Sequence, residues 1–394
     1  MSSYIRFSRS FAVLIFIFAL SACSSGSKNA AAIIDTGPSL RDQLQTVVDD
    51  AVKSGLPGVS LHVQGRGESI SVVSGVVNRD SAEPVRPSSL FHAASVGKTF
   101  VATMVIRLVD AGYLQLDDPL DQLLDPSMSS MIADSDRITV EMLLANTSGI
   151  PDYFNNTEYR IAFAQSPGKR WAPIEDLAYI DSTKNNFEPG AEYRYSNTNF
   201  LLLGVIAERV TGVSIGMALR LWVFEPAELE NTYGAYEKRG QPAIAHGYLH
   251  TSAIENSGVL PELVPIDGAD LDTFEWLNSE GLGDAPIHST PSDLNSFIRT
   301  LIDTDTLVAG ALKTKMLTES FPGRSEYGLG LEITENGLTF EHSGKSFGLL
   351  SLMSYTPSKK VSFATIVNGS FDYYDELYAQ YLDQVGEILE NRLQ

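Results

Sequence analysis

The sequence is poor in cysteine, in positive charge and in long apolar runs. One cysteine occurs among the 394 residues, so the chain cannot close an intramolecular disulfide. The 49 aspartates and glutamates outnumber the 28 lysines and arginines, and no cluster of basic residues offsets the net charge of -21. Because that charge repels a phosphate backbone, we expect no nucleic-acid partner. The length predicts about two domains or subdomains, which the apolar residues are sufficient to fill.

The apolar run near the N-terminus is too short to span a membrane. It comprises the ten residues from Phe11 to Leu20, whereas a membrane helix needs about 20. Arg6 and Arg9 precede the run and small residues follow it, which is the pattern of a secretory signal. Residues 1–22 are therefore predicted to be a signal peptide.

The single cysteine comes directly after this segment. The sequence from Leu20 to Cys23 resembles a bacterial lipobox, which implies a lipid on Cys23 and a lipid-anchored protein of the bacterial cell envelope. An ordinary secretory signal that ends near a cysteine is the alternative. Residues 23–38 are small and polar, and they predict a flexible tether. Ser24 resembles the pattern for sorting to the outer membrane, facing the periplasm.

Hydrophobic periodicity predicts how the folded part of the chain begins. Ser39 can cap a helix whose apolar face runs from Leu40 to Ala51, and Gly55 marks its end. The elements predicted next are strands at 59–64 and 70–78, then helices at 95–111, 139–145 and 199–210 within a mostly helical block at 93–300.

The end of the chain has the alternating pattern of strands. Asn336-Gly337 favours a type I′ hairpin turn between two of them. The predicted strands begin with the alternating residues Tyr327, Leu329, Leu331 and Ile333, continue at 338–342, 349–355 and 361–367, and precede a helix at 373–393.

These elements predict one α/β (α+β) domain over residues 39–394. An antiparallel sheet from the N- and C-terminal segments, 39–92 and 301–394, is flanked by helices and forms an α/β subdomain. Residues 93–300 form an all-α inserted subdomain. A cleft between the two parts is the default place for a functional site.

The string S-x-x-K occurs three times, and its placement distinguishes one occurrence from the others. Only Ser95 opens a helix with an apolar face. Because residues i and i+3 share one face of a helix, Lys98 can accept or orient the proton of the Ser95 hydroxyl. The helix N-terminus also presents backbone N–H groups to an oxyanion. An N-cap serine followed by a solvated lysine is the alternative.

The string Tyr195-Ser196-Asn197 lies in a loop before a predicted helix. A tyrosine with a pKa of about 10 is a poor base unless a neighbouring cation, here Lys98, favours its anion. Asn197 has an amide that can hydrogen-bond an amide-like substrate. Tyr153-Phe154-Asn155 has the same form, and for either string alone a packing tyrosine is the alternative.

The string His342-Ser343-Gly344 lies at the end of a predicted strand. A polar side chain that faces a cleft, followed by a glycine that lets a substrate approach the strand, suits edge-on recognition of a peptide. The overlapping string G-K-S-F-G at 344–348 matches a nucleophile elbow. A strand-like run follows it and no histidine occurs after His342, so we do not expect the nucleophile there.

In this order and on these elements, the strings at Ser95, Tyr195 and His342 resemble those of the serine β-lactamase and penicillin-binding-protein superfamily. The string Y-S-N resembles the second motif of one branch of this superfamily. That branch contains class C β-lactamases, D-Ala-D-Ala carboxypeptidases, D-aminopeptidases and family VIII esterases. The stretch L-L-A-N-T-S-G at 143–149 is similar to the family's L-L-x-H-T-S-G, with Asn146 in place of histidine. The resemblance covers roughly residues 40 to 390 and implies a β-lactamase/transpeptidase-like fold.

The resemblance implies a role for each motif. Ser95 is the nucleophile that forms an acyl-enzyme, Lys98 activates it, and Tyr195 is the general base and later the general acid. The substrate-binding residues it implies are Asn197, His342, Ser343 and Gly344, and the oxyanion hole would use the backbone N–H groups of Ser95 and Lys345. His342 stands where class C enzymes have lysine, so a mostly neutral imidazole weakens the anchor for a substrate carboxylate.

Three functions are compatible with these residues. The first is an amide hydrolase of the D,D-peptidase or carboxypeptidase type, or one related to β-lactamases; the second is a family VIII-type carboxylesterase. The third is a lipoprotein that binds penicillin or a peptide without turnover. We expect a monomer that acts on a small peptide, amide or ester and uses no cofactor or metal. His246 and His250 have the spacing of metal ligands but no recognisable third ligand.

Residues 251–286 contain eight acidic residues and no lysine or arginine. This segment is either a lid that repels anionic substrates or a solvated surface excursion. If it is a lid, neutralising its acids lowers KM for an anionic substrate, whereas an unchanged KM contradicts the lid.

Overall fold

A seven-stranded antiparallel sheet lies at the centre of the protein. The computed structural model describes residues 38–235, 244–250, 252, 270–279, 282–321, 326–334 and 337–393. The predicted signal peptide, Cys23 and the predicted tether up to residue 37 lie outside these residues. The strands in chain order are β1 (Gly58–Gly65), β2 (Glu68–Asn78), β3 (Glu83–Pro84), β4 (Phe91–His92), β5 (Tyr233–Gly234), β6 (Tyr248–Leu249), β7 (Leu271–Asp272), β8 (Ile287–Ser289), β9 (Glu332–Thr334), β10 (Thr339–Ser346), β11 (Leu349–Thr356) and β12 (Val361–Val367).

The sheet joins the two ends of the chain. Its strand order is β3-β2-β1-β12-β11-β10-β9, and β1 pairs antiparallel with β12 from Val59↔Val367 to Gln64↔Ser362. Arg66 and Gly67 connect β1 to β2 with φ of 48° and 84°, which suits a two-residue type I′ turn. The predicted antiparallel sheet built from both terminal segments is confirmed.

Helices cover both faces of this sheet. In chain order they are α1 (Leu40–Lys53), α2 (Gly97–Asp110), α3 (Leu120–Leu123), α4 (Pro126–Ser129), α5 (Val140–Leu144), α6 (Thr157–Ala164), α7 (Pro173–Leu177), α8 (Asn197–Thr211), α9 (Ile215–Leu219), α10 (Phe274–Leu277), α11 (Pro291–Asp303), α12 (Gly310–Met316) and α13 (Tyr373–Leu393). Short 3₁₀ turns lie at Ala94–Val96 and Tyr153–Asn155, and a π-helical turn lies at Arg220–Phe224.

The terminal helices α1 and α13 pack against one face of the sheet. Ser39 caps α1 as predicted, and it forms a capping box with Asp42. Leu44 and Val48 of α1 are buried in one core with Tyr381 of α13, where all three side chains are shielded from solvent. The apolar spacing of these two helices, three or four residues apart, produces this shared buried face.

The segment between β3 and β9 is mainly helical and forms a second core. Its central helix, α2, is buried along most of its length and packs against α8. Short strands also occur in it, since β4, β8 and β5 form a three-stranded sheet and β6 pairs with β7. The subdomain boundary predicted at residue 300 falls inside α11, which packs on β1, β11 and β12. Asn295 of α11 donates to Gln64 Oε1 of β1 at 2.9 Å.

The alternating stretch that begins at Tyr327 forms a strand only from Glu332 onward, where β9 begins. Gly330 N–H donates to Leu144 O at 3.0 Å, so a helix terminus binds this backbone instead of a neighbouring strand. Gly330 has φ of +81°, and a Cβ there would lie 2.1 Å from Ala102 Cβ. The alternation therefore reflects a loop buried against α2. β9 and β10 pair antiparallel as predicted, and Asn336 of the predicted hairpin turn lies outside the described residues.

No single helix in the described ranges has the length and apolar character needed to cross a membrane. One pair meets that test only when its members are taken together: Asn197–Thr211 with Ile215–Phe224, which are bent by 80° relative to each other.

Candidate active site

Ser95 lies on the 3₁₀ turn that leads into α2. Lys98 Nζ donates a hydrogen bond to Ser95 Oγ at 2.9 Å, as the spacing of the two residues predicts. Lys98 Nζ also donates to the backbone oxygen of Asp284 at 2.6 Å. Lys98 is 1% exposed, whereas Ser95 is only partly buried. The serine is therefore the member of the pair that a substrate can reach.

β10 packs directly against this turn at Gly344. A Cβ at Gly344 would lie 2.9 Å from Ala93 O and 2.3 Å from Ser351 Oγ, so no side chain fits there. Ser351 Oγ also donates to Ala93 O at 2.8 Å, which ties the turn to β11. The sequence predicts that this glycine leaves room for a substrate. In the structure it leaves room for the backbone that carries the nucleophile.

The Y-S-N string brings Tyr195 beside Lys98. The distance from Lys98 Nζ to the centroid of the Tyr195 ring is 5.3 Å, and Tyr195 is partly exposed. Lys98 Nζ therefore lies over the ring of the residue that is predicted to act as the base. The structure thus brings together the three residues predicted to carry the chemistry.

Asn146 holds the backbone of the Y-S-N string in place. Its Oδ1 accepts a hydrogen bond from Ser196 N–H at 3.1 Å and another from Asn199 Nδ2 at 2.8 Å. Asn146 is fully buried and has φ of +55°. Asparagine adopts this left-handed conformation more readily than most residues. The residue that departs from the L-L-x-H-T-S-G pattern therefore helps to place Tyr195.

Asp152 is a site residue that the sequence analysis misses. Asn197 Nδ2 donates to its two carboxylate oxygens at 3.1 and 3.3 Å. Burial raises the pKa of Asp152 to about 6, against the opposing effects of Phe154 N–H, the Lys98 charge and the Asn197 amide. The available signal was the string Y-F-N at 153–155, which has the same form as Y-S-N and which Asp152 directly precedes.

The tyrosine of that string, Tyr153, also supports the site. Its Oη donates to Asp284 Oδ2 at 2.6 Å, and the backbone oxygen of the same Asp284 holds Lys98. Asp284 lies near the end of the acidic segment 251–286, of which residues 251, 253–269, 280 and 281 are outside the described part of the chain. The end of this segment thus contributes to the surroundings of Lys98.

His342 is buried and neutral. It is 1% exposed, Tyr327 Oη donates to its Nε2 at 3.0 Å, and its Nδ1 donates to Ser343 O at 2.7 Å. Burial lowers its pKa, although the Glu332 carboxylate opposes that effect. Its ring centroid lies 6.4 Å from that of Tyr195. The polar residue expected to face a cleft instead lies beneath the strand, beside the predicted base.

Beyond Glu341, the edge of β10 is not paired with β9. On this edge Ser343 N–H and Oγ donate to Glu332 Oε1 at 3.3 and 3.0 Å. Residues two apart in a strand direct their N–H groups to the same edge, so Lys345 N–H points there as well. The Lys345 side chain turns away to pair with Asp375. Lys345 N–H therefore points to the same free edge of β10 as Ser343 N–H, and its part in an oxyanion hole stays a prediction.

These groups provide the parts of a serine acyl-transfer site. Such a site needs a hydroxyl nucleophile in hydrogen-bond contact with a basic group, a second group that moves protons, and N–H donors for the oxyanion. Ser95, Lys98 and Tyr195 are the candidates for the first two needs, and the backbone N–H groups at the start of α2 and on the edge of β10 are the candidates for the third.

Comparisons with known proteins agree with this geometry. The family described as Beta-lactamase matches residues 44–386. A penicillin-binding protein of Bacillus subtilis (strain 168) is 28% identical over 330 residues, which are 79% of this chain and 68% of that protein. Esterase EstB of Burkholderia gladioli is 31% identical over 197 residues, which are 48% of this chain and 50% of the esterase.

A solved structure extends the likeness to the whole fold. The D-amino acid amidase from Ochrobactrum anthropi SV3, complexed with D-phenylalanine, matches with a TM-score of 0.73 at 27% identity. The match covers 89% of this chain and 99% of the amidase chain, and it confirms the predicted β-lactamase/transpeptidase-like fold. Because the family match extends over most of the sequence, the chain belongs to the beta-lactamase family and is a serine hydrolase of that family.

Proposed function

We propose that the protein hydrolyses an amide or peptide bond of a D-amino-acid substrate through an acyl-enzyme on Ser95. The observation that carries this proposal is the 2.9 Å contact between Ser95 Oγ and Lys98 Nζ, next to Tyr195 and the open edge of β10. The similarity to a D-amino acid amidase supports the substrate class. The similarity to a penicillin-binding protein supports attack on an amide carbonyl.

Acylation begins at the Ser95 hydroxyl. Oγ attacks the carbonyl carbon of the substrate while the Tyr195 phenolate, favoured by the Lys98 charge, takes the hydroxyl proton. The N–H groups of Ser95 and Lys345 stabilise the oxyanion of the tetrahedral intermediate. The bond from carbon to the leaving nitrogen then breaks, and Tyr195 gives its proton to the departing amine. Asn197, held by Asp152, orients the substrate amide.

Deacylation uses the same groups with water in place of the amine. Tyr195 takes a proton from water as the water oxygen attacks the acyl carbonyl, and the same two N–H groups stabilise the second oxyanion. The bond from carbon to Ser95 Oγ breaks, and Tyr195 returns the proton to Ser95. The products are a carboxylic acid and the free enzyme.

The third motif supports a substrate without a carboxylate beyond the scissile bond. His342 is buried and neutral, and the Lys345 ammonium is paired with Asp375. A simple amide of a D-amino acid therefore suits this site better than a peptide with a free C-terminal carboxylate. The same observation, with the likeness to EstB, favours a carboxylesterase as the second candidate function.

Turnover by the mature protein tests the proposal. The rates of hydrolysis of D- and L-phenylalanine amide, a D-Ala-D-Ala peptide and a p-nitrophenyl ester are compared in wild type, Ser95→Ala and Ser166→Ala. Ser166 is the matched control because Ser166 and Lys169 repeat the S-x-x-K spacing away from α2. We expect preference for the D-amide, a loss of about 1,000-fold or more in Ser95→Ala, and no change in Ser166→Ala.

Other outcomes of this experiment decide between the candidates. Turnover that survives Ser95→Ala overturns the proposal. Turnover of the ester alone favours the carboxylesterase. A stable adduct with a fluorescent penicillin, without turnover of any substrate, favours a lipoprotein that binds and does not hydrolyse.

We also propose that a lipid on Cys23 anchors the protein to the outer membrane, facing the periplasm. The apolar run at 11–20 and the Leu-Ser-Ala-Cys sequence support this location. Cells fed radiolabelled palmitate should label the wild type and not Cys23→Ala, and the wild type should sediment with outer-membrane vesicles. Equal labelling of the two proteins contradicts the anchor.

A further inference from the structure

The backbone immediately before Ser95 has a conformation that needs support. Ala94 has φ of +49°, in the left-handed region that residues with a side chain seldom adopt. Such a conformation persists where the surrounding structure holds it, and it is frequent at functional sites. Because Ala94 directly precedes Ser95, the contacts that hold Ala94 also place the nucleophile.

His92 makes one of these contacts. It is fully buried at the end of β4, and its Nδ1 accepts a hydrogen bond from Ala94 N–H at 3.2 Å. Because Nδ1 accepts, the ring proton of the neutral imidazole is on Nε2. Its backbone pairs with that of His288 in the ladder of β4 and β8, and the next residue, Ala93, donates its N–H to Ile287 O at 3.0 Å. His92 thus connects two backbone segments that are far apart in sequence.

The second of these segments holds Lys98. Asp284, which directly precedes Ala285, accepts the hydrogen bond from Lys98 Nζ at 2.6 Å. Pro286, which directly follows, packs on the start of α2, where a Cβ at Gly97 would lie 2.6 Å from Pro286 Cδ. Segment 284–286 therefore lies against the first turn of the helix that carries Lys98.

We propose that His92 is a positioning residue, which fixes Ser95 Oγ relative to Lys98 Nζ by holding the backbone of Ala94 beside segment 284–288. This inference deepens the proposed function and rests on Ser95 as the nucleophile. His92 acts through the two backbone segments and not on the reacting atoms.

The environment of His92 keeps its ring in the form that this role requires. Burial lowers the pKa of His92 to about 4, the Ala285 backbone opposes this effect, and the Lys98 charge adds to it. The ring is therefore neutral at physiological pH and retains Nδ1 as an acceptor. The ring of His288 packs edge-on against it, with 5.3 Å between the centroids.

His288 offers a matched control. It is fully buried on β8, opposite His92 in the ladder of β4 and β8. Neither of its ring nitrogens has a hydrogen-bond partner among the residues that the structure describes. Replacing His288 by phenylalanine therefore changes the packing around His92 without removing a hydrogen bond from the turn.

The test compares wild type with His92→Asn, His92→Phe and His288→Phe. In His92→Asn the Oδ1 atom replaces Nδ1 as acceptor for Ala94 N–H, whereas phenylalanine keeps the volume and removes this hydrogen bond. The measurements are kcat and KM for the substrate that the wild type hydrolyses, and hydrogen exchange at the Ala94 amide. We expect His92→Phe to lose kcat by about 100-fold with KM within about twofold, and to lose protection of that amide.

His92→Asn should stay within about tenfold of the wild-type kcat and keep the amide protected, and His288→Phe should resemble the wild type. Wild-type kcat in His92→Phe, or equal losses in His92→Phe and His288→Phe, overturns the positioning role. If His92→Phe does not fold, His92→Asn is compared with His92→Leu, which has no acceptor for Ala94 N–H. Equal kcat in these two variants also overturns it.

Failure of the proposed function is distinguishable from failure of this inference. If the proposed function is wrong, the wild type shows no turnover that depends on Ser95. Hydrogen exchange still reports on the Ala94 amide in that case. Protection lost in His92→Phe but retained in His288→Phe then supports the link, and equal protection in both overturns it.

Discussion

Lys98 is almost fully buried, and two oxygen atoms receive its hydrogen bonds, Ser95 Oγ and the backbone oxygen of Asp284. A buried ammonium group loses its hydration and needs polar partners in exchange. The carbonyl of Asp284 and the hydroxyl of Ser95 are such partners. This arrangement suits a lysine that assists a proton transfer.

Asp152→Ala tests the support of Asn197. Without the carboxylate, the Asn197 amide loses its acceptor and its orientation, so kcat/KM should fall by about tenfold, which corresponds to one hydrogen bond to a charged group. Asn155→Ala is the matched control, because Asn155 Nδ2 also donates to Asp152, at 3.2 Å, from the exposed side. The measurement is kcat/KM for hydrolysis of the D-amide by the two variants and the wild type. Equal losses in Asp152→Ala and Asn155→Ala contradict a specific role of Asp152.

Asp176 makes the stability of the protein depend on pH. It is 2% exposed, and burial, reinforced by the Asp284 carboxylate, raises its pKa to about 8. A carboxyl in the unfolded chain has a pKa of about 4, so between these values the folded state binds more protons than the unfolded state. The free energy of unfolding contributed by this group therefore falls as the pH rises from about 4 to about 8.

Asp176→Asn should remove this dependence. From pH 5 to pH 8 the variant should lose less stability than the wild type, by on the order of 2 kcal/mol in urea unfolding. Asp181→Asn, at an exposed position nearby, should leave the dependence unchanged. Identical pH dependence in Asp176→Asn and the wild type would show that Asp176 is ionised in both the folded and the unfolded state.

At the scale of elements, β10 does two things at once. Its backbone at Gly344 touches the turn that carries Ser95, and its free edge presents the N–H group of Lys345. The relative position of the nucleophile and this N–H donor is thus set by direct contact between a strand and a helix start. Side chains on either element need not intervene.

Gly344→Ala should separate these two elements. A Cβ would meet Ala93 O and Ser351 Oγ within 3 Å, so the strand or the turn must shift. We expect kcat/KM to fall by about 100-fold and the free energy of unfolding by about 1–3 kcal/mol. Gly386→Ala is the control, since a Cβ there meets nothing within 4 Å inside α13.

The control has its own expected outcome. Alanine in place of a helical glycine should raise the free energy of unfolding by about 0.5–1 kcal/mol and leave kcat/KM unchanged. Thermal unfolding and D-amide hydrolysis measured on both variants separate the two effects. Unaltered kinetics in Gly344→Ala would contradict the role assigned to the contact between β10 and the turn.

The structure describes only part of the acidic segment 251–286, mainly its C-terminal half. Tyr248 pairs with Asp272 and Leu249 with Leu271 to form a short antiparallel ladder, and Arg79 forms an ion pair with Asp270. Whether residues 251–286 act as a lid stays a prediction, with the KM of an anionic substrate as its test.

At the scale of the whole molecule, the chain is closed by pairing its two ends. β1 lies between β2 and β12, and α1 packs with α13 in a core separate from the one that surrounds α2. Adjacent residues Ile366 and Val367 of β12 belong to the two different cores, because successive side chains of a strand point to opposite faces. The overall stability and the active site can therefore be perturbed separately.

Leu44→Ala should lower stability without altering catalysis. Leu44 of α1 is fully buried in the core that α1 shares with α13, so truncation should lower the free energy of unfolding by about 2–5 kcal/mol. At temperatures where the variant remains folded, kcat should equal that of the wild type. The control is Leu338→Ala, at a site 54% exposed, where the change should stay within about 0.5 kcal/mol. A large loss of kcat in folded Leu44→Ala would show that the two cores are coupled.

The sequence by itself determined the terminal helices, most strands of the large sheet, and the contact between Ser95 and Lys98. Periodicity, a capping serine and turn residues are local signals, so α1, the strands of the meander and α13 could be predicted from short windows. The spacing of Ser95 and Lys98 also fixes their contact, because both lie within the first turns of one helical segment.

Only the tertiary structure decided which residues hold the candidate site residues in place. Asn146, Asp152 and Asp284 reach the site from segments separated by many residues, and no local pattern encodes such contacts. The stretch ending at residue 331 alternates like a strand, yet Leu329 and Gly330 donate their N–H groups to the last residues of two helices. The sequence predicts that His342 faces a cleft, whereas the structure buries it against Tyr327. In each case the decisive partner is distant in sequence, and long-range packing overrides the local pattern.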